Sequence, residues 1–477
     1  MGFTNTGVDR RVLTRWQVYG VCLVMFLEGL SSSSINVQVA AVRADLSPGP
    51  VGLQLVATTF LIAYAALLLP AGRLADWLDR RKVFLCGLGL FAVGSLAGTL
   101  APTVEVLIGA RLAQGAGAAL TAPAALALIT APLPAGAERN RLVALYGALG
   151  AVGFSTGLVL PGFLVTHYGW RSSFAVLLPC VLLVAALTWR VPSNPTGRGG
   201  DSASRPDLWG TVALFGLIGG ATWMLGALRD LTAPLALSTL AVLTVLATVV
   251  VRRGRTVPDR LLVRDVRRAM AALAGAFAGV LASIYVLTLA LQDWHGLTAF
   301  TVGLLVLPQP ACFALLARYG SAWVNRSGAV LPLLTGLALI TAATGSLALL
   351  SPTHPSVPHV LVAMAGVGAG LALAYPAASI MAVNAAPESL RGSTAAVLTT
   401  AQNVGGSAGL ALVTALALVP QPDAPGSLTA PMVVCALMVL AGLVLALRAG
   451  RSTNPQSPDP QSSDPGSADQ VGVPEHG

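Results

Sequence analysis

A chain of 477 residues that is 55% hydrophobic and only 10% charged, with a mean hydropathy of +0.76, is too apolar for a soluble domain, and most of it must lie in lipid. Its net charge of +9 does not mark a nucleic-acid binder, because the 28 basic residues, all but Lys82 arginine, are scattered between apolar runs. The five cysteines, Cys22, Cys86, Cys180, Cys312 and Cys435, fall inside those runs without CxxC or Cys/His spacing, so neither a metal site nor a disulfide framework is indicated.

A run of roughly 18 to 25 mostly apolar residues can cross a hydrocarbon core of about 30 Å as a helix. About fourteen such runs follow one another, at 17–40, 53–73, 83–102, 104–131, 142–166, 173–189, 208–228, 233–251, 269–292, 299–317, 329–350, 358–384, 395–419 and 429–448. The first is too long for a signal-peptide core and reads as a helix of the mature chain. The fourth and twelfth are the longest and are expected to tilt or kink. The fold class indicated is an all-α membrane protein: two six-helix bundles, residues 1–189 and 269–448, plus two extra central helices at 208–251. A Pro/Gly/Ser-rich cytoplasmic linker at 190–207, an Arg-rich cytoplasmic loop at 252–268 and a cytoplasmic tail at 449–477 separate or follow them. The tail lacks apolar periodicity and is expected to be disordered.

The arginines also orient the chain. With a cytoplasmic N-terminus only Arg43, Arg171 and Arg229 fall outside, Arg111 lies within a span, and every other basic residue falls on inner loops or tails. The positive-inside rule thus predicts an even number of crossings in a multi-pass cell-membrane protein with both termini cytoplasmic.

The loop after the second helix reads Gly72-Arg73-Leu74-Ala75-Asp76-Trp77-Leu78-Asp79-Arg80-Arg81-Lys82. It is similar to the signature G-x-L-a-D-r-x-G-r-k of the major facilitator superfamily, with Trp77 in place of Arg and Asp79 in place of the second Gly. The resemblance implies conformational gating by Gly72, Asp76, Arg80 and Arg81. In that role Gly72 lets helices approach closely, and Asp76 accepts bonds from a helix N-terminus or an Arg until the halves move. The alternative is a solvated loop of mixed charge. A weak repeat, Ser321–Gly328 after the tenth helix, fits two equivalent halves around a midplane cavity.

The fourth helix carries Leu107-x-x-x-Arg111-x-x-Gln114-Gly115-x-Gly117-Ala118-Ala119, which matches the second motif of the same family, l-x-x-x-R-x-x-q-G-x-g. An Arg in a span must face protein or water and have a partner. It either ties helices together or is a charge coupled to a proton site. Gly115 and Gly117 allow close helix packing. Helix five contains Gly153-x-x-x-Gly157-Leu158-Val159-Leu160-Pro161-Gly162 and then His167–Phe174. These resemble the G-x-x-x-G-P-x-x-G-G motif and the hyGWRwiF segment of drug antiporters, with Leu158 in place of Pro and Pro161 in place of a Gly. The kink is therefore expected to shift by about one turn.

Leu30–Ala40 resembles the l-D-x-T-i-v-n-v-A-l-P segment of fourteen-helix drug:proton antiporters, with Ser31 where the family has Asp. Residues 390–393 and 400–406 resemble later segments of that branch, so the likeness spans nearly all of 10–448. Glu28 lies three residues before Ser31, on nearly the same face and about 4.5 Å deeper. It is the one acidic residue in the middle of a predicted span. Counted from the outer ends of their helices, Glu28 lies roughly 18 Å deep and Arg111 roughly 11 Å, a gap of about 7 Å for a long side chain or a water to bridge. Alternation between a dry setting that favours the neutral acid and one near Arg111 that favours the carboxylate would bind and release a proton. The rival reading is a protonated Glu28 bonded to a neighbouring helix.

Gln38, Gln114, Gln309, Gln402 and Asn403 are further polar side chains in spans, and they either line a substrate cavity or bridge helices. No phosphate-binding GxxxxGK[ST] loop occurs, so no cofactor is expected and the energy source implied is a proton gradient. No catalytic spacing of His, Ser or Cys indicates an enzyme. The resemblance implies proton-coupled efflux of an amphipathic drug or natural product by alternating access. Its expected partners are a small-molecule substrate, protons and the lipid bilayer, with the chain acting as a monomer. An importer or uniporter on the same fold, and a non-transporting membrane receptor, remain the alternatives.

Overall fold

The computed structural model describes residues 14–131, 133, 136–191, 207–253, 263–351, 356–386, 390–416, 418–420 and 427–451. Most of the linker, of the Arg-rich loop and of the tail named above lies outside them. Among the described residues the regular elements are all helices, grouped here into fourteen helical segments. In the first half these are α1 Arg15–Leu46, α2 Pro50–Trp77, α3 Arg80–Thr99, α4 Val104–Thr130, α5 Ala137–Tyr168 and α6 Ser172–Thr188. Then come α7 Leu208–Gly226 and α8 Ala233–Arg253. The second half holds α9 Arg264–Asp293, α10 Ala299–Ser327, α11 Val330–Leu349, α12 Val357–Ala385, α13 Arg391–Ala415 and α14 Thr429–Arg451. Among the described residues twelve are long and apolar enough to cross a membrane. The other two are α6, which is shorter, and α13, which carries Thr399, Thr400, Gln402, Asn403 and Ser407.

Capping extends the helices beyond their apolar windows. At the start of α1 the Thr14 hydroxyl accepts from the Gln17 amide at 3.3 Å, while the Gln17 side chain accepts from the Thr14 amide at 2.9 Å. Asp79 caps α3 by accepting from the Arg81 amide at 3.0 Å, so the residue that departs from the family signature starts the next helix. The longest helices are therefore α1 and α5, at 32 residues each, and not α4 and α12, at 27 and 29. A hydropathy window stops at the first charged turn and misses such extensions. Prolines 70, 123, 161 and 376 sit inside α2, α4, α5 and α12, where neighbouring helices tolerate the missing N–H.

Within the first half α1 packs on α5 and α6, and α4 packs on α2 and α3; within the second, α9 touches α12, α13 and α14, and α12 touches α10 and α11. Small residues set these crossings. A Cβ on Gly153 would strike the Phe26 carbonyl, and one on Gly157 would strike the Leu30 carbonyl and the Ser33 hydroxyl, so α1 and α5 meet backbone to backbone. Gly115 lies equally close to the Phe60 carbonyl of α2, and a Cβ on Gly117 would sit 2.6 Å from the Gly87 carbonyl of α3. Gly162 differs, because its neighbour, the Ala299 carbonyl 2.8 Å from a built Cβ, belongs to α10 in the other half.

Besides this α5–α10 contact, the halves meet along two further seams. At the 47–49 turn end, Arg43 of α1 forms an ion pair with Asp293 of α9 and donates to the Pro420 carbonyl at 2.6 Å, while Gln292 reaches the Val37 carbonyl at 3.4 Å. The second seam is α2 on α13, where the Thr400 hydroxyl donates to the Ala65 carbonyl at 3.1 Å. The extra pair rests against this seam: α7 touches both α2 and α13, and α8 packs on α7.

Gly157→Val should lower stability by about 1–3 kcal/mol, because the added atoms have no free volume at the α1–α5 crossing. Thermal unfolding of the purified protein in detergent checks this; an unchanged midpoint would mean that the crossing is looser than described.

Candidate functional site

Two stripes of polar residues face each other inside the first half. On α1, Glu28 and Ser31 are three residues apart; on α4, Arg111, Gln114 and Thr121 recur at spacings of three and seven, so each set shares a helix face. All five are buried, Glu28 at 5% exposure and Arg111 at 1%. In lipid such groups must find their partners within the protein.

Glu28 finds two. Its Oε1 accepts from the Thr121 hydroxyl at 2.8 Å, and its Oε2 from the Tyr64 hydroxyl of α2 at 3.4 Å. The Thr121 hydroxyl also lies 3.1 and 3.0 Å from the Gly117 and Ala118 carbonyls, so its single proton has three acceptors in reach. Nearby, Tyr146 donates to the Ala122 carbonyl at 2.9 Å.

Arg111 lies in a separate nest. Its NH1 donates to the Ser31 carbonyl and hydroxyl, both at 3.2 Å, and to the Gln114 amide oxygen at 3.0 Å. The Gln114 amide nitrogen donates to the Ser95 hydroxyl at 3.1 Å, and that hydroxyl donates to the Phe91 carbonyl at 2.8 Å. The guanidinium also sits over the Phe60 ring, 4.7 Å from its centroid. Its Nε and NH2 have no hydrogen-bond partner. Arg111 thus occupies the place opposite Ser31 where the family resemblance expects a carboxylate.

The gap foreseen between Glu28 and Arg111 is not closed by the Arg side chain: no ion pair joins them among the described residues. Side chains of α2 lie between them. Gln114 is not free to meet a substrate, since both ends of its amide are engaged. Asn403 donates to the Thr399 carbonyl of its own helix at 2.8 Å, so its amide nitrogen serves α13. Gln38 is fully buried with neither amide atom bonded, and the Gln309 amide oxygen is likewise unpartnered. Gln402 is buried on α13.

Gly72 is not at a close approach in this conformation, because a Cβ there would meet Pro123 at 3.9 Å, an ordinary contact. Arg80 begins α3, and Arg81 donates to the Trp189 carbonyl at 2.5 Å, joining α3 to the end of α6. The side chain of Asp76 lies outside the described residues. Phe60, Tyr64, Ser95 and Thr121 are the site residues that sequence reasoning missed. Phe60 and Tyr64 are one turn apart on α2, and Thr121 continues the Arg111–Gln114 stripe; these spacings were the available signal.

The sequence profile of the Major Facilitator Superfamily matches residues 21–410 and 271–470. The chain is 31% identical over 400 residues to the multidrug resistance protein Stp of Mycobacterium tuberculosis, covering 82% of this chain and 73% of that protein. It is 30% identical over 402 residues to the methylenomycin A resistance protein of Streptomyces coelicolor, covering 80% of this chain and 81% of that one. It is also 32% identical over 414 residues to the puromycin resistance protein pur8 of Streptomyces alboniger, covering 83% and 80%. Among solved structures, a POT family transporter in complex with 5-aminolevulinic acid aligns with a TM-score of 0.68 at 15% identity, covering 92% of this chain and 96% of that chain. The inward open xylose transporter XylE from E. coli aligns at 0.62 with 16% identity, covering 92% and 95%. At these identities the two structures establish the fold alone.

Removing Gln114 leaves Arg111 and Ser95 each one partner short. Gln114→Ala should therefore cost about 1–3 kcal/mol, and its effect should not add to that of Ser95→Ala. A double-mutant cycle read by thermal unfolding checks this; strictly additive losses would show that the Arg111 network does not act as a unit.

Proposed function

The chain belongs to the Major Facilitator Superfamily, and from that premise we propose that it is a fourteen-helix secondary transporter exporting a small amphipathic drug or natural product in exchange for protons. A membrane transporter, not an enzyme, is what the family membership establishes; relatives about 30% identical include multidrug and antibiotic resistance proteins. The reading of export leans on the names of those relatives and on the motifs of α1 and α5.

The observation that carries proton coupling is Glu28: a carboxyl group buried at lipid depth, bonded to hydroxyls alone. Hydroxyls both donate and accept, so they can serve the charged and the neutral acid alike. A fixed structural carboxylate would call for a cation, and the nearby cation is held elsewhere. In this account α6 and α13 also cross the bilayer, which makes fourteen crossings and puts both termini in the cytoplasm of a multi-pass cell-membrane protein. The bundles 1–189 and 269–448 rock about the seams as a monomer, with Gly72, Asp76, Arg80 and Arg81 gating the inner side. The bond from Arg81 to the end of α6 supports that placement of the gate.

Glu28→Gln keeps the shape of the side chain and removes its titration. In everted membrane vesicles, ethidium transport driven by an imposed pH gradient should fall to the background of empty vesicles, while ethidium counterflow without a gradient survives. Transport by this variant that still follows the pH gradient would remove Glu28 as the proton carrier.

A further inference from the structure

We infer that Phe60 and Tyr64 of α2 are positioning residues that link the proton site to Arg111 and to the second half of the protein. This inference rests on the reading of Glu28 as the titrating group. Its basis is a continuous series of contacts. The Arg111 guanidinium lies 4.7 Å from the Phe60 centroid; the Phe60 and Tyr64 rings stack with centroids 6.1 Å apart and planes 11° from parallel; the Tyr64 hydroxyl is 3.4 Å from Glu28 Oε2. The two groups that sequence reasoning pairs directly are thus joined through one turn of α2.

The same turn touches the other half. Ala65, the residue after Tyr64, accepts the Thr400 hydroxyl of α13 through its carbonyl at 3.1 Å. Tyr375 of α12 also lies within electrostatic reach of Tyr64 and packs edge-on against Phe313, with centroids 5.9 Å apart. No other helix described here touches the carboxyl group, the Arg nest and the α13 seam at once.

The hydrogen-bond inventory gives the link a direction. As a carboxylate, Glu28 accepts from both Thr121 and Tyr64. As a neutral acid it has a proton to donate, and Thr121 can receive it while giving its own proton to the Gly117 or Ala118 carbonyl. Thr121 adapts in place; Tyr64 keeps only a neutral Oε2 as its acceptor and loses the attraction of a charged oxygen. Proton binding therefore loosens Tyr64, and with it the turn of α2 that carries the Arg111 stack and the Thr400 bond.

The other groups around Glu28 do not offer this route. Tyr146 of α5 is committed to the Ala122 carbonyl, and Cys22 lies on α1 itself. No charged residue occurs on α6; those of α9 lie at its two ends and those of α10 in its last third, and Tyr285 of α9 lies toward Arg43.

The test is an infrared pH titration of the purified full-length chain in liposomes, following the protonated-carboxyl band that Glu28→Gln removes. Tyr64→Phe keeps the ring stack but deletes the donor to the charged form. Its midpoint should move toward alkaline pH by about one to two units, the size expected for one hydrogen bond to a charged group. Phe60→Leu keeps the hydroxyl and removes the stack that places it, so it should move the midpoint the same way and serves if Tyr64→Phe fails to fold. Both variants titrating at the wild-type midpoint would overturn the link even if either transports slowly. A wild-type spectrum with no band lost in Glu28→Gln would instead overturn the titrating role of Glu28, and the link with it.

Discussion

Ionisable groups at lipid depth have no water to fall back on, so each must be satisfied by side chains that the fold brings to it. Glu28 and Arg111 impose this requirement on the first half, and its packing answers them. Small residues bring α1 against α5 and α4 against α2 and α3, and in that packing Thr121 reaches the carboxyl group and Ser31 reaches the guanidinium. Buried ion pairs lock conformation, because breaking one leaves an uncompensated charge. Here the acid and the cation are held in adjoining nests, joined through aromatic rings, and form no such pair among the described residues.

The seams between halves follow a different logic. Near the 47–49 turn they are closed by opposite charges and a carbonyl, Arg43 with Asp293 and Pro420, in a position where the pair is only partly buried. Elsewhere α5 meets α10 at Gly162, and α2 meets α13 through the Thr400 hydroxyl and through apolar side chains, Ile62, Ala65 and Ala66 with Val404 and Leu69 with Val397. The seams thus mix an ion pair and single hydrogen bonds with apolar side chains. The α7–α8 pair leans on α2 and α13 without entering either half, so it can ride on the seam without filling the space between the halves.

Much of this was legible in the sequence. The positions of the apolar runs lie close to the fourteen helical segments observed, twelve of them long and apolar enough to cross a membrane, and the motif around Arg111 and Gln114 names two residues that do bond to each other. Glu28 stood out because a carboxylate in an apolar run needs a reason. What was not legible depends on which helix faces which. Tyr64 reads as one more aromatic in α2 until the fold sets it beside α1, and Arg43 reads as a topology marker until Asp293, 250 positions on, lies opposite it. At Gly72 the motif glycine makes only an ordinary contact in this conformation, with Pro123 3.9 Å from a built Cβ. Helix ends also escaped prediction, since Thr14, Asp79 and Asp207 cap through local bonds that hydropathy does not register.

The account stands on Glu28 exchanging its proton for substrate, and proton release on substrate addition measures that exchange without relying on a transport rate. Ethidium added to the purified full-length protein in weakly buffered solution should acidify the medium with the wild-type chain and leave it unchanged with Glu28→Gln. Equal acidification by the two proteins would contradict the account.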